Sequence, residues 1–313
     1  MINTMIGISE IAVYLPNNRV SNYSLKEKFN IDDFFIEQKL GVKYKTIKDN
    51  NQKASDLCIE AFKNLEKKIN IDKSNIDCCV IVTQNPDYNI PHTSAIVHGK
   101  LGLKDDCACF DISLGCSGYV YALSVITSFM KNNNLKHGIL FTADPYSEII
   151  DENDKNTSLL FGDAATITYI TDNPEFFIKD VSFGTYGKEY KALIKEKKLL
   201  MNGRTIFNFT ATKIPAHVKK LLEKNNFKDE DIDIYLFHPG SKYIIDTIVS
   251  RLKIPKEKVP FEIYDYGNTV SSSIPIMLEK RLHNHKINRM VISGYGVGLS
   301  WASSIIERNI KYK

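Results

Sequence analysis

The chain has 313 residues, 43% hydrophobic and 25% charged, an ordinary mixture for a folded protein large enough for two fused domains. Its net charge of +4, with lysines spread among 37 acidic residues, makes no case for nucleic acid, although a local basic patch could receive an acidic partner. No apolar run approaches the roughly 18 residues of a membrane span, and no charged segment followed by an apolar core marks a secretory signal, so the expectation is a cytoplasmic protein with no membrane contact.

In chain order, the alternating run from Met5 to Tyr14 predicts a strand stopped by Pro16. Ser21 to Leu40 is amphipathic and partly helical, with Gly41 as its stop. Ala54, Leu57, Cys58, Ala61 and Leu65 recur at helical spacing, and Cys78 to Thr83 is a short apolar run suited to a buried strand. Pro86 and Pro91 bound a loop, and a helix through Ile96 and Leu101 follows. The strand Cys107–Phe110 then leads through a turn into the helical pattern Tyr119–Ile126, and Gly138–Thr142 is another buried strand. Leu159–Ala165 runs into the strand Thr166–Ile170.

Tyr186 to Arg204 is basic and aperiodic, with Lys195, Lys197 and Lys198 clustered, and reads as a surface connection. The rhythm then repeats. Phe207–Asn226 is helical, Ile232–Phe237 is a strand, Ser241 caps a helix through Ile244, Ile248 and Leu252, and Phe261–Tyr264 is strand-like. Ser272–Leu282 is helical with Pro275 in its first turn, and Met290–Ser293 and Ser303–Ile306 close the chain around a glycine-rich loop. Strands alternating with helices in both parts argue for an α/β fold, an internal duplication with halves at 1–172 and 173–313.

The six cysteines (Cys58, Cys78, Cys79, Cys107, Cys109 and Cys116) form no Cys-x-x-Cys pair, which disfavours zinc and thioredoxin-type chemistry and fits reduced thiols. Cys116 stands apart, in Asp111-Ile112-Ser113-Leu114-Gly115-Cys116-Ser117-Gly118, between a strand and a helix. Unpaired N–H groups and the helix dipole at such a place favour thiolate, the nucleophilic form. Read alone, the same cysteine fits a small buried residue beside a turn better than a nucleophile, because free cysteine is usually a small hydrophobe. Three further spots lie at strand ends, where open α/β sheets gather their ligands: His238 before Pro239-Gly240, Asn268 in Tyr266-Gly267-Asn268-Thr269, and Gly294-Tyr295-Gly296-Val297-Gly298.

Together and in this order these motifs, with Leu160-Phe161-Gly162-Asp163-Ala164-Ala165, resemble the thiolase-like condensing enzymes, specifically the β-ketoacyl-acyl carrier protein synthase III family. The resemblance runs over nearly the whole chain. It implies a thiolase-like fold of two duplicated halves in five α-β-α-β-α layers, and a homodimer. It implies a triad of Cys116, His238 and Asn268, with an oxyanion hole from the backbone N–H groups of Cys116 and Val297. Cys116 would be loaded from an acyl-CoA and the acyl group condensed with malonyl-acyl carrier protein after decarboxylation; the alternative is acyl transfer to another acceptor. Coenzyme A enters as a thioester substrate, with no cofactor and no metal. Phe35, matching an aromatic that stacks on adenine, and Phe207 are implied at the substrate; Lys242 is implied at carrier-protein docking. Ile90 is implied at the acyl pocket of the partner subunit, leaving room for acyl chains longer than acetyl. The sequence departs from the family in Pro239-Gly240-Ser241 after the histidine, in Val297 within the glycine run, and in Tyr243 where a basic residue is common.

Overall fold

The structure, a computed structural model, describes residues 5–312. Nine strands form the main sheet. Five come from the first part of the chain: β1 (Gly7–Tyr14), β2 (Cys78–Val82), β3 (Ala108–Ile112), β4 (His137–Ala143) and β5 (Ala165–Thr171). Four come from the second: β6 (Phe176–Thr185), β7 (Ile234–Phe237), β8 (Arg289–Gly296) and β9 (Ser300–Arg308). Their spatial order is β7-β8-β9-β6-β1-β5-β4-β2-β3.

The order contains a repeat. From β1 outward the strands run β1-β5-β4-β2-β3, and from β6 outward β6-β9-β8-β7. In each arm the first strand pairs antiparallel with the last, the last antiparallel with the one before it, and that one parallel with an earlier strand. The arms join where Gly7 and Ile8 pair with Phe177 and Phe176.

Six helices cover this sheet: α1 (Ala54–Glu66), α2 (Thr93–Leu101), α3 (Gly118–Asn132), α4 (Gly203–Lys224), α5 (Lys242–Leu252) and α6 (Ser273–Glu279). α1 and α2 lie outside the first arm; α4 lies outside the second, with α5 against it. α3 and α6 touch both arms, which makes them the middle of five layers. Strand periodicity sorts side chains between layers. Cys78, Val80 and Val82 of β2 enter the central core, while Cys79 and Ile81 enter the outer one. Leu236 of β7 likewise faces the centre and Tyr235 and Phe237 the other outer core. Burial of each such side chain contributes roughly 1.5–3 kcal/mol. No helix among the described residues is long and apolar enough to cross a membrane.

Four segments differ from the sequence-based expectation. Phe176–Thr185 is the longest strand, although its mixed polar and apolar residues alternate irregularly in burial. Phe261–Tyr264 is no strand: the Tyr264 carbonyl accepts the N–H groups of Lys43 (2.7 Å) and Tyr44 (3.0 Å), and the Phe261 ring lies over Gly41. The basic connection contains a β-hairpin, Leu193–Lys195 with Leu199–Met201, whose Leu193 and Leu199 are buried. Ser21–Leu40 is broken into a 3-10 turn at Asn22–Leu25 capped by Ser21, a helical turn at Lys26–Phe29 and a π-helical turn at Phe35–Leu40, ended by Gly41 at φ 76°.

Candidate active site

Cys116 lies between the C-terminal end of β3 and the start of α3. The helix begins at Gly118 with Ser117 as its cap, so the cysteine sits one residue outside it. The sulfur is nearly enclosed, with the residue 5% exposed. The expectation of a resting thiolate is overturned here. Burial pushes the thiol up to about 12, the Asp144 carboxylate pushes the same way, and only the cysteine's own backbone N–H opposes them. The dipole fades within a turn of the helix end, whereas desolvation acts in full on a buried thiol.

The end of β8 closes over the sulfur. A Cβ at Gly296 would stand 2.9 Å from both Cβ and Sγ of Cys116, and one at Gly294 would stand 2.5 Å from the Cys116 carbonyl oxygen. At Gly296 the backbone is extended (φ 166°), so space alone requires glycine. Gly298, at φ 121°, is the residue that needs glycine for its backbone angle. Val297 between them reaches Gly115, its Cγ1 lying 3.1 Å from where a Cβ would stand.

His238 follows β7. Its N–H donates to the Ser293 carbonyl (2.8 Å) and its carbonyl accepts the Tyr295 hydroxyl (2.8 Å), so its backbone is fixed by β8. Asn268 faces it. The Asn268 Oδ1 accepts the Val270 N–H at 2.9 Å, which turns the Nδ2 donor toward His238 Nε2 at 3.3 Å. The imidazole therefore accepts at Nε2 and carries its proton on Nδ1, which is buried without a partner. Burial pulls His238 down to about 3, so the ring is neutral at any ordinary pH. Val270, a β-branched residue at φ 55°, holds backbone strain on the order of 1–3 kcal/mol beside this amide.

These groups open into one cavity of about 540 Å³. Its deep end is Cys116, His238, Asn268 and Gly296, all buried. Leu160, Phe161, Leu193 and Ile206 make apolar walls. Toward solvent stand Phe35, Phe207 and Tyr243 with Lys39, Lys155 and Arg204. Phe207 stacks on Tyr243 at 5.1 Å, Lys39 lies 4.5 Å from the Tyr243 ring and Lys155 lies 5.0 Å from the Phe35 ring. An aromatic, cationic rim over a buried, neutral floor suits a ligand with an anionic or heteroaromatic head and a thin apolar stem.

Sequence reasoning thus named five cavity residues, Cys116, His238, Asn268, Phe35 and Phe207. Three others are not among its lining residues: Val297, next to Gly296 in the loop that closes over Cys116, Lys242 and Ile90. The Lys242 ammonium is paired instead with Asp246, one helical turn on, at 2.8 Å from Oδ2. Ile90 is 88% exposed on a loop with the exposed Tyr88. In the sequence Tyr295 stands only as part of the glycine-rich turn, with no role of its own, and nothing marks Asp144, a fully buried carboxylate that accepts the Gln84 N–H (2.7 Å) and the Ser271 hydroxyl.

Comparison with known proteins adds an independent line. Residues 110–187 match the family model for 3-oxoacyl-[acyl-carrier-protein] synthase III, and residues 222–308 match the model for its C-terminal part. The chain is 32% identical to the β-ketoacyl-[acyl-carrier-protein] synthase III of Clostridium perfringens, over 97% of this chain and 98% of that protein. It is 30% identical to the enzyme of the same name from Lactococcus lactis, over 97% and 99%. The crystal structure of 3-oxoacyl-[acyl-carrier-protein] synthase III from Aquifex aeolicus superposes with a TM-score of 0.89 at 28% identity, covering 96% of this chain and 99% of that one.

Proposed function

The chain belongs to the 3-oxoacyl-[acyl-carrier-protein] synthase III family of acyl-transferring condensing enzymes, and we propose that Cys116, His238 and Asn268 carry the reaction. The observation that bears most weight is the neutral His238–Asn268 pair beside a buried thiol at the floor of an apolar cavity. In the first half-reaction the Cys116 sulfur attacks the carbonyl of an acyl-CoA. The thiol proton passes to the Nε2 lone pair of His238, from which the Asn268 Nδ2 donor must turn away; the coenzyme A sulfur departs and takes that proton, and the acyl group stays on Cys116. The oxyanion formed on attack is assigned to the backbone N–H groups of Cys116 and Val297.

In the second half-reaction a malonyl-acyl carrier protein loses carbon dioxide. The electron pair left behind delocalises onto the thioester oxygen, where Asn268 Nδ2 and His238 can donate hydrogen bonds. His238 donates from Nε2 only in its other tautomer; that exchange breaks no hydrogen bond at Nδ1, and it requires the Asn268 Nδ2 donor to turn from Nε2 to the thioester oxygen. A neutral imidazole is sufficient for such a role. The enolate carbon then attacks the acyl-Cys116 carbonyl, the cysteine sulfur leaves as thiolate and takes a proton from solvent to restore the thiol, and the 3-oxoacyl product remains on the carrier protein.

Phe35 and Phe207 are assigned to the coenzyme A end of the substrate. Lys39 and Arg204 at the rim take over the docking role first given to Lys242, whose charge is already engaged by Asp246. The exposed Ile90 supports a homodimer in which this loop reaches the partner's acyl site. The repeated strand order supports a boundary between halves near residue 172. A free nucleophilic thiol supports a cytoplasmic location. The test is intact-mass measurement after incubation with an acyl-CoA series. Wild type is expected to gain one acyl group and Cys116→Ala none. No adduct on wild type refutes the donor; an adduct without carbon dioxide release from malonyl-acyl carrier protein refutes the condensation. An adduct confined to acetyl refutes the longer-chain tolerance expected from Ile90.

A further inference from the structure

Asp144 has no place in the reaction as written, yet its carboxylate is wholly buried just after β4. Its partners come from both halves. From the end of β2 it accepts the Gln84 N–H at 2.7 Å; from the segment before α6 it accepts the Ser271 hydroxyl and, at 3.4 Å, the Ser271 N–H. Ser271 follows Val270, the residue held at φ 55° whose N–H fixes the Asn268 side chain. The next residue, Ser272, is tied to the same strand end, its hydroxyl 2.8 Å from that of Thr142.

A carboxylate beside a nucleophilic sulfur opposes thiolate formation and so works against loading. Its contribution therefore lies elsewhere. We propose that Asp144 is a positioning residue for decarboxylation: by anchoring Ser271 it holds the Thr269–Ser271 turn, and through that turn aims the Asn268 amide at the thioester oxygen shared with His238. The inference rests on the condensing reaction proposed above. It assigns Asp144 no contact with substrate.

The experiment separates the two half-reactions in the full-length protein. Acyl loading is followed by intact mass with acetyl-CoA, and decarboxylation by carbon dioxide release from malonyl-acyl carrier protein. Asp144→Asn keeps the shape and removes the charge. Loading is expected at or above the wild-type rate, whereas carbon dioxide release falls on the order of 10- to 100-fold, the scale of a misaimed catalytic donor. Ser271→Ala keeps the charge and removes its anchor. It is expected to slow carbon dioxide release with loading unchanged, and it carries the test if Asp144→Asn does not fold. A parallel loss of both half-reactions in folded variants would overturn the inference, as would carbon dioxide release at the wild-type rate. A wild-type chain that neither loads nor decarboxylates overturns the functional reading itself; a wild type that does both localises any failure to Asp144.

Discussion

Gly296→Ala tests the close approach on which the site is built. The added methyl would stand 2.9 Å from Sγ and Cβ of Cys116. Favourable carbon contacts lie near about 3.5–4.0 Å, so the two sides must part by roughly 0.6–1.1 Å. Neither backbone yields easily. Gly296 is paired with Ser300 in the β8–β9 ladder, and the Cys116 carbonyl is already pressed against Gly294. The sulfur, at the free end of its side chain, turns aside, and the contact with Cβ is relieved only by a backbone shift. Overpacking of this kind costs about 1–3 kcal/mol, which lowers Tm by a few degrees in a chain of this size. A nucleophile displaced by about 1 Å loses on the order of 100-fold in rate. The assay is the rate of acyl-Cys116 formation by intact mass, with Tm measured alongside. Loading within about threefold of wild type at unchanged Tm would refute the reasoning, because it would mean that the glycine is not what seats the sulfur.

Gly99→Ala is the matching control: a Cβ there meets nothing within 4 Å, and the residue lies inside α2, so stability should rise by up to about 1 kcal/mol in denaturant titration with loading unchanged. Phe35→Ala should raise KM for acyl-CoA about 5- to 30-fold with kcat nearly constant in steady-state kinetics, because the ring and the Lys155 ammonium beside it lie at the cavity rim rather than at its floor. His238 titrates at about 3 in the folded chain against an ordinary value of 6.5, so the unfolded chain binds the extra proton between these limits. Stability carried by this group is present above pH 6.5 and is lost as pH falls toward 3. Asp144, raised to about 6, titrates in the opposite sense over part of that window, so the measurement is a difference. Urea unfolding of His238→Gln beside wild type at pH 7 and pH 4.5 should show the variant losing less stability on acidification, and an equal loss would contradict a buried neutral imidazole.

What the sequence disclosed follows the physics of each segment. β2 was legible because Cys78 to Val82 is buried on both faces, so composition alone marks it. β6 was not, because its two faces alternate between half-buried and exposed without a clean period. Phe261–Tyr264 has the composition of a strand, but the backbone of Lys43 and Tyr44 takes its carbonyl before another strand can. At the site, Cys116, His238 and Asn268 were legible by their order and their local turns. The thiol's resting state was misread because helix proximity is visible in sequence and desolvation is not. Asp144 illustrates the limit: Ala143-Asp144-Pro145 looks like any loop, and its partners Gln84 and Ser271 lie 60 and 127 residues away.

The resting site is electrically quiet. The thiol at about 12 and the imidazole at about 3 are both neutral over the whole physiological range, and the Asp144 carboxylate adds to the upward push on the thiol. A stored thiolate–imidazolium pair would bind water and counterions in the apolar cavity, and each substrate would have to displace them. A neutral floor has no such shell to shed. Charge appears there only when a thioester arrives, first on the oxyanion and then on the enolate, and it appears facing donors that are already in place. Rate then depends on where those donors point. Cys116 comes from the first half of the chain and His238 and Asn268 from the second, so their alignment is a property of the contact between halves. That is why the Asp144–Ser271 bond, which crosses this contact beside the Asn268 turn, is the place where a change without substrate contact should register in chemistry.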